Sequence, residues 1–129
     1  MNNKITLVTP PDFYENSNPS ILLIGFDDAQ QDETSSWLGT NDFKSDINLY
    51  YYQGEDNIEW LLYALARTEC VLINADCDYP NVQRLLSYML GRSNVWYTTK
   101  NDELRQLFNH INSHYVNTIT DFFESIFND

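Results

Sequence analysis

Short runs of apolar residues alternate along this chain with longer stretches in which apolar positions recur every three or four residues. The short runs are typical of β-strands, and the longer periodic stretches are typical of amphipathic helices. Because several runs are continuously apolar, we expect strands that are covered on both faces, as in a parallel sheet. The predicted strands are 4–9, 21–26, 47–53, 70–75 and 94–99.

The helical pattern is clearest in the middle of the chain, where Asp56 and Glu59 have the spacing of a capping box. Gly91 follows another periodic stretch and is a natural C-cap. Both signals place helix ends between predicted strands. The predicted helices are 30–38, 58–65, 82–90, 104–115 and 122–127.

The segment 114–120 permits two interpretations. It continues one long helix over 102–127, or it forms a short fifth strand of the parallel sheet, with Thr120 capping a final helix. Its several β-branched residues disfavour an uninterrupted helix, because their side chains lose freedom against the preceding turn. Both alternatives stay open at this point.

Alternation of strands and helices predicts right-handed βαβ units. We therefore expect a three-layer α/β fold of flavodoxin-like or receiver-like type, with a mostly parallel sheet of about five strands between two layers of helices. One domain accounts for residues 1–129, with an edge strand and loop in 1–20 and βα repeats in 21–129. The first strand lacks a helical crossover, so we expect an edge strand or a hairpin partner.

The chain is strongly acidic: 19 Asp and Glu oppose 7 Lys and Arg, for a net charge of −12. This charge disfavours direct contact with nucleic acid or anionic membranes and favours a basic protein partner. The two cysteines, Cys70 and Cys77, are separated by about 20 Å if the first begins a strand, at ~3.3 Å per residue, which is too far for a disulfide. With no signal-peptide pattern and no apolar run of membrane-spanning length, we expect a cytoplasmic protein.

Acidic residues follow two of the predicted strands directly. Asp27 and Asp28 end the second strand, and Asp76 ends the fourth. In an open parallel sheet, ligands bind beyond the carboxyl ends of the strands. If these strands are neighbours, the three carboxylates converge and repel one another, and Mg²⁺ would relieve that repulsion. The alternative is that they are solvated loop residues or helix caps.

The stretches "ILLIGFDD", "CVLINADCDYP" and "NVWYTT" together resemble the response-regulator receiver domain, from residue 21 to the end of the chain. The resemblance implies that Asp27 and Asp28 are the acidic pair and that Asp76 is the phosphoacceptor, with Pro80 four residues beyond it. It also implies a Thr at the end of the next strand, where Thr98 and Thr99 stand here.

The sequence departs from the receiver pattern at two points. The lysine near the end of the last strand has no counterpart, since that region offers only Thr118 or Thr120, and Lys100 follows a different strand. The Gly-containing loop after the proline is missing. We therefore expect a pseudo-receiver, in which the fold is kept and the chemistry is weakened or lost.

The strand and helix order also resembles that of nucleoside 2-deoxyribosyltransferase-like proteins. That resemblance places Gln83 near the position of the family's nucleophilic Glu, several residues before Gly91. An amide cannot form the covalent glycosyl intermediate of such an enzyme. The substitution therefore argues against this activity.

Aromatic residues offer candidate contacts for a protein partner. Phe123 and Phe127 lie on a C-terminal helix with apolar residues all round, and Tyr51 faces opposite to its two neighbours in a strand. The alternative is that these side chains belong to the core.

The leading prediction is a non-catalytic protein-binding or regulatory accessory module without a cofactor, whose basic partner is a nucleic-acid-handling enzyme. Its small size, high Asn content and acidity suggest a bacteriophage protein. The alternatives are a Mg²⁺-dependent phosphoacceptor that uses Asp76, and a deoxyribosyltransferase-like enzyme.

Overall fold

A computed structural model describes residues 5–13, 18–40, 46–54, 57–90, 92–108 and 114–127, except for the side chains of 40, 87 and 90. None of the helices within these ranges is both long and apolar enough to cross a lipid bilayer. Strands and helices alternate after the first strand, as predicted. The elements are β1 (Ile5–Val8), β2 (Ser20–Ile24), α1 (Asp28–Thr40), β3 (Ile47–Tyr52), α2 (Ile58–Arg67), β4 (Cys70–Asn74), α3 (Pro80–Leu90), β5 (Val95–Thr98), α4 (Asp102–Phe108), β6 (His114–Tyr115) and α5 (Ile119–Phe127).

All the strands pair in parallel in one sheet with the order β1-β3-β2-β4-β5-β6. The α/β prediction is confirmed, although the sheet has six strands rather than about five. β1 is an edge strand that runs parallel to β3, with Ile5 opposite Ile47, so the hairpin alternative is wrong. Strand order reverses around β2, which has β3 on one side and β4 on the other.

The helices cover both faces of the sheet. Side chains of α1 and α5 pack in one apolar cluster, and those of α2, α3 and α4 pack in the other. β2 supplies both clusters in alternation, with Ile21 and Leu23 on the α1/α5 side and Leu22 and Ile24 on the opposite side. All five β2 residues are buried, which explains why this strand is continuously apolar.

Stacked aromatic rings hold α1 and α5 together. The ring of Trp37 lies 5.4 Å from that of Phe123 and 6.4 Å from that of Phe127, in nearly parallel planes. On the other face, Trp60 of α2 stacks on Phe13, and its indole N–H donates to the Asp12 carbonyl at 2.8 Å. The segment after β1 is thereby fixed to α2.

The starts of α2 and α5 differ from the sequence prediction. α2 is capped by Asn57, whose side chain accepts a hydrogen bond from the Trp60 amide, while the predicted cap Asp56 lies outside the described residues, as does Gly91. α5 is capped by Thr118 rather than Thr120, because the Thr118 hydroxyl accepts from the Asp121 amide. The 114–120 segment contains a short strand, so the long-helix alternative is wrong.

Candidate functional site

A cleft of about 750 Å³ lies at the carboxyl-terminal edge of the sheet. It runs from the start of α1, beside β2, across the ends of β4 and β5 to the end of β6. This is the edge at which ligands bind in open parallel sheets, and it begins at the reversal of strand order between β2 and β4.

Asp76 lines this cleft, and each of its carboxylate oxygens accepts a hydrogen bond from the protein. Oδ1 accepts a hydrogen bond from the Thr99 hydroxyl, and Oδ2 accepts one from the Lys100 amide at 2.8 Å. The Asn74 side chain accepts from the Asp76 amide and so shapes the turn that follows β4. The carboxylate therefore joins the ends of β4 and β5.

Asp27 also lines the cleft and caps α1. Its Oδ1 accepts from the Gln30 amide, and the Gln30 side chain accepts in return from the Asp27 amide, both at 2.9 Å. This reciprocal pair is a capping box. The contacts of Asp27 are therefore those of a helix cap, which was the alternative prediction. Its side chain is also exposed to the cleft.

The three carboxylates predicted to hold magnesium do not come together. Asp27 and Asp76 line the cleft, but Asp28 does not. Within the described ranges no group of three or more His, Cys, Asp and Glu side chains is placed to hold a metal ion. α1 begins at Asp28, directly after Asp27. The predicted group of three carboxylates is therefore not seen within the described residues.

Above β2 and β3 the edge is filled by the segment between β4 and α3. A Cβ atom placed on Gly25 would meet the Cβ and Sγ of Cys77 at 2.9 Å, and one on Gly54 would meet the Tyr79 ring at 2.7 Å. Both glycines have a φ of +88°. The Asn74 amide group donates to the Gly25 carbonyl at 2.9 Å, and burial raises the pKa of the Cys77 thiol.

The far wall of the cleft was not foreseen from the sequence. The Arg105 guanidinium lies 4.0 Å from the centre of the Tyr115 ring, a cation–π contact between α4 and β6. The Thr98 hydroxyl donates to the Asn117 carbonyl at 3.3 Å, and the Tyr115 hydroxyl donates to the Asn117 side chain. The sequence signal for this wall was the alternative of a short strand in 114–120.

The receiver resemblance can now be compared position by position. Of the two candidate threonines, Thr99 contacts Asp76, while Thr98 contacts the segment after β6. Residues Asn117 and Thr118 stand after β6, where the family has its lysine. The cations of this cleft, Lys100 and Arg105, come instead from the segment that joins β5 to α4 and from α4 itself.

The other candidate residues lie away from the cleft. Gln83 is exposed on α3 and does not line it. Tyr51 and Phe123 are 2% and 0% exposed, so the exposure that partner binding requires is missing for both, because helices cover each face of the sheet. Phe127 is half-buried in the stack with Trp37.

The strand order of this flavodoxin-like sheet occurs with many unrelated activities, so the fold alone does not identify a function. The function has to be argued from the charges and contacts of the described side chains. No protein-family model matches the chain, and a search of the curated proteins finds no match to its sequence.

Proposed function

We propose that the protein is a non-catalytic binding module that holds a basic protein partner against the outer surface of α1 and α5. We name this surface the acidic face. Its members are the carboxylates that α1 and α5 direct away from the sheet or leave partly exposed. They are Asp28, Asp32, Glu33, Asp121 and Glu124.

The separation of charge between the two faces of the sheet carries this proposal. Neither α1 nor α5 contains a Lys or Arg. Every Lys and Arg within the described ranges belongs to α2, α3, α4 or a segment joined directly to α3 or α4, on the opposite side. A surface that carries carboxylates and no cation attracts a positively charged surface and speeds its association.

The contacts of the cleft carboxylates support a non-catalytic role. Asp76 joins two strand ends, and Asp27 caps a helix, so both have structural partners within the protein. These structural contacts explain the presence of both carboxylates without a catalytic role. We extend the proposal to a nucleic-acid-handling enzyme as the partner, because such enzymes carry basic surfaces, and to a bacteriophage origin.

Paired variants with equal charge changes test the acidic face. Asp32→Asn with Glu33→Gln neutralises two exposed carboxylates of α1, and Glu59→Gln with Glu103→Gln neutralises two exposed carboxylates of the opposite face. We expect tagged wild-type protein and the Glu59/Glu103 control to retain the same basic protein from cells, and the Asp32/Glu33 variant to lose it. Quantitative mass spectrometry measures the ratio.

The purified partner then gives the decisive measurement. We expect affinity for the wild-type protein to fall as salt rises, because exposed charges are screened, and to fall about tenfold for the Asp32/Glu33 variant. Equal affinity for that variant and for the Glu59/Glu103 control would overturn the proposal.

The contact between Asp76 and Thr99 favours a second candidate function, phosphorylation of Asp76. The receiver resemblance implies a phosphoacceptor at Asp76 and a Thr at the end of the next strand, and the Thr99 hydroxyl donates to Asp76 Oδ1. In this reaction an Asp76 oxygen attacks the phosphorus of acetyl phosphate, an acyl phosphate forms, and acetate leaves with the electrons of the broken P–O bond.

Intact-mass measurement separates the two candidates. The protein is incubated with acetyl phosphate in buffer that contains Mg²⁺, together with Asp76→Asn and the neighbouring control Asp78→Asn. We expect no adduct on any of them, because Asn117 and Thr118 stand after β6, where the receiver family has its lysine. A phosphoryl adduct on the wild type and on Asp78→Asn, but not on Asp76→Asn, would replace the non-catalytic proposal with this one.

A further inference from the structure

The cleft beyond β4, β5 and β6 has the size and the mixed charge of a small-ligand site. We infer that it binds a phosphate monoester that also carries hydroxyl groups, such as a sugar phosphate or a nucleoside monophosphate. Its volume of about 750 Å³ lies in the range of ligand pockets and far exceeds what a bare phosphate ion fills. This inference does not depend on the acidic face.

Two cations line this cleft in a protein whose net charge is −12. Lys100 precedes α4, and Arg105 lies one turn into that helix. Arg105 is held over the Tyr115 ring, so its guanidinium is positioned before any ligand arrives. Arg and Lys form short, charge-assisted hydrogen bonds to phosphate oxygens, and a fixed guanidinium loses little freedom in doing so.

The start of α5 adds backbone charge of the same sign on the opposite wall, through Thr118 and Ile119. The Gln30 amide at the start of α1 already donates to the Asp27 carboxylate. Amide groups at the start of a helix carry partial positive charge and favour an anion nearby. A phosphate group placed between the start of α5 and the two cations has partial or full positive charge on both sides.

The cleft carboxylates favour a phosphorylated polyol over a bare phosphate ion as the ligand. Asp27, Asp76 and Asp102 line the cleft and repel an anion, but their carboxylates also accept hydrogen bonds from hydroxyl groups. Asn74 and Thr98 also line the cleft. A ligand with a phosphate at one end and hydroxyls at the other satisfies both kinds of lining group.

The overall negative charge does not prevent this binding. At physiological ionic strength the Debye length is about 8 Å, so most surface carboxylates are screened from the cleft. Lys100 and Arg105 would touch the phosphate directly, where screening is weakest.

Titration calorimetry with four defined probes tests the inference. Ribose 5-phosphate and adenosine monophosphate carry both features, inorganic phosphate lacks the sugar, and ribose lacks the phosphate. We expect saturable one-to-one binding of at least one of the first two probes, with a Kd of about 1 mM or tighter. Inorganic phosphate and ribose should each bind at least tenfold more weakly.

Three single variants separate this site from a general charge effect. Lys100→Met and Arg105→Met each remove one cation of the cleft, and both side chains are exposed, so the fold should survive; circular dichroism checks this. Each should weaken binding about tenfold, the effect of one charge-assisted hydrogen bond. Arg84→Met removes an exposed cation of α3 outside the cleft and should leave the Kd unchanged.

Two results would overturn the inference. One is the absence of saturable binding of both phosphorylated probes by the folded wild-type protein. The other is binding that Lys100→Met and Arg105→Met leave unchanged, or that Arg84→Met weakens equally. The Asp32/Glu33 variant should bind the probes like the wild type, so failure of the protein-partner proposal stays distinguishable.

Discussion

The two halves of the carboxyl-terminal edge differ in whether another segment of the chain covers the strand ends. Above β2 and β3, residues between β4 and α3 fill the edge, with Cys77 against Gly25 and Tyr79 against Gly54. Above β4, β5 and β6 the edge stays open and forms the cleft. We name these regions the closed half and the open half.

The comparison shows that side-chain size at the strand ends decides where a ligand has room. Each strand of the closed half is followed by a glycine of positive φ, which lets another segment approach the backbone closely. In the open half, β5 is followed by Thr99, whose hydroxyl holds Asp76 across the strand ends. There the side chains hold neighbouring ends together and leave the space above them empty.

Gly25→Ala should break the closed half and have the largest effect. The new Cβ would meet Cys77 at 2.9 Å, and the φ of +88° strains any residue with a side chain. We expect the free energy of unfolding, measured with urea, to fall by about 2–4 kcal/mol. Gly39→Ala is the control, since its Cβ meets nothing within 4 Å and should stabilise α1 by about 0.5–1 kcal/mol. Equal effects of the two would contradict this account.

Gly54→Ala should disturb the closed half less, because its Cβ would meet the ring of Tyr79, which can move away. We expect a loss of about 1–3 kcal/mol in urea unfolding. Combining it with Tyr79→Ala sharpens the test. The double variant should lose less than the sum of the single variants, and strict additivity would show that the ring does not press on this position.

Thr99→Val should loosen the open half by removing the hydroxyl that donates to Asp76. We expect a loss of about 1–2 kcal/mol in the free energy of unfolding, because a carboxylate oxygen loses a partner in a half-open site. Thr98→Val is the matched control, since its hydroxyl only donates to the exposed Asn117 carbonyl, and should cost less. A larger loss for Thr98→Val would mean that β5 and β6, rather than β4 and β5, set the shape of the cleft.

Tyr51→Phe should have the smallest effect on the free energy of unfolding at neutral pH. This variant tests how tightly β3 is covered beneath the closed half. The buried Tyr51 hydroxyl makes no close hydrogen bond within the described residues, and burial raises the Tyr51 pKa from 10.0 to about 12. The Ser35 and Thr34 hydroxyls lower this pKa by a smaller amount. Tyr51→Phe should therefore change stability by less than about 1 kcal/mol at pH 7.

The difference between Tyr51→Phe and the wild type should appear in alkali. Below pH 10 the Tyr51 hydroxyl is protonated in both states, and between pH 10 and about 12 it ionises only in the unfolded chain. Its contribution to stability is therefore lost as pH rises through this window. Urea unfolding at pH 9 and pH 11 should show a steeper loss for the wild type than for Tyr51→Phe. Parallel losses would show that solvent reaches this hydroxyl.

The sequence by itself determined the fold class and most of its elements. The apolar runs that became β2 and β4 and the periodic stretch that became α2 were predictable because alternation and helical periodicity are local properties of the chain. The neighbouring positions of Asp27 and Asp76 at one edge also followed, since parallel strands end together. These inferences need only the spacing of residue types.

Only the tertiary structure decided which of two adjacent residues enters the site. Asp27 rather than Asp28 lines the cleft, and Thr99 rather than Thr98 contacts Asp76, because both choices depend on how the chain turns after a strand. The burial of Tyr51 and Phe123 likewise depends on helices that cover both faces of the sheet. Long-range packing fixes the directions of these side chains, so they cannot be predicted from the pattern of neighbouring residues along the chain.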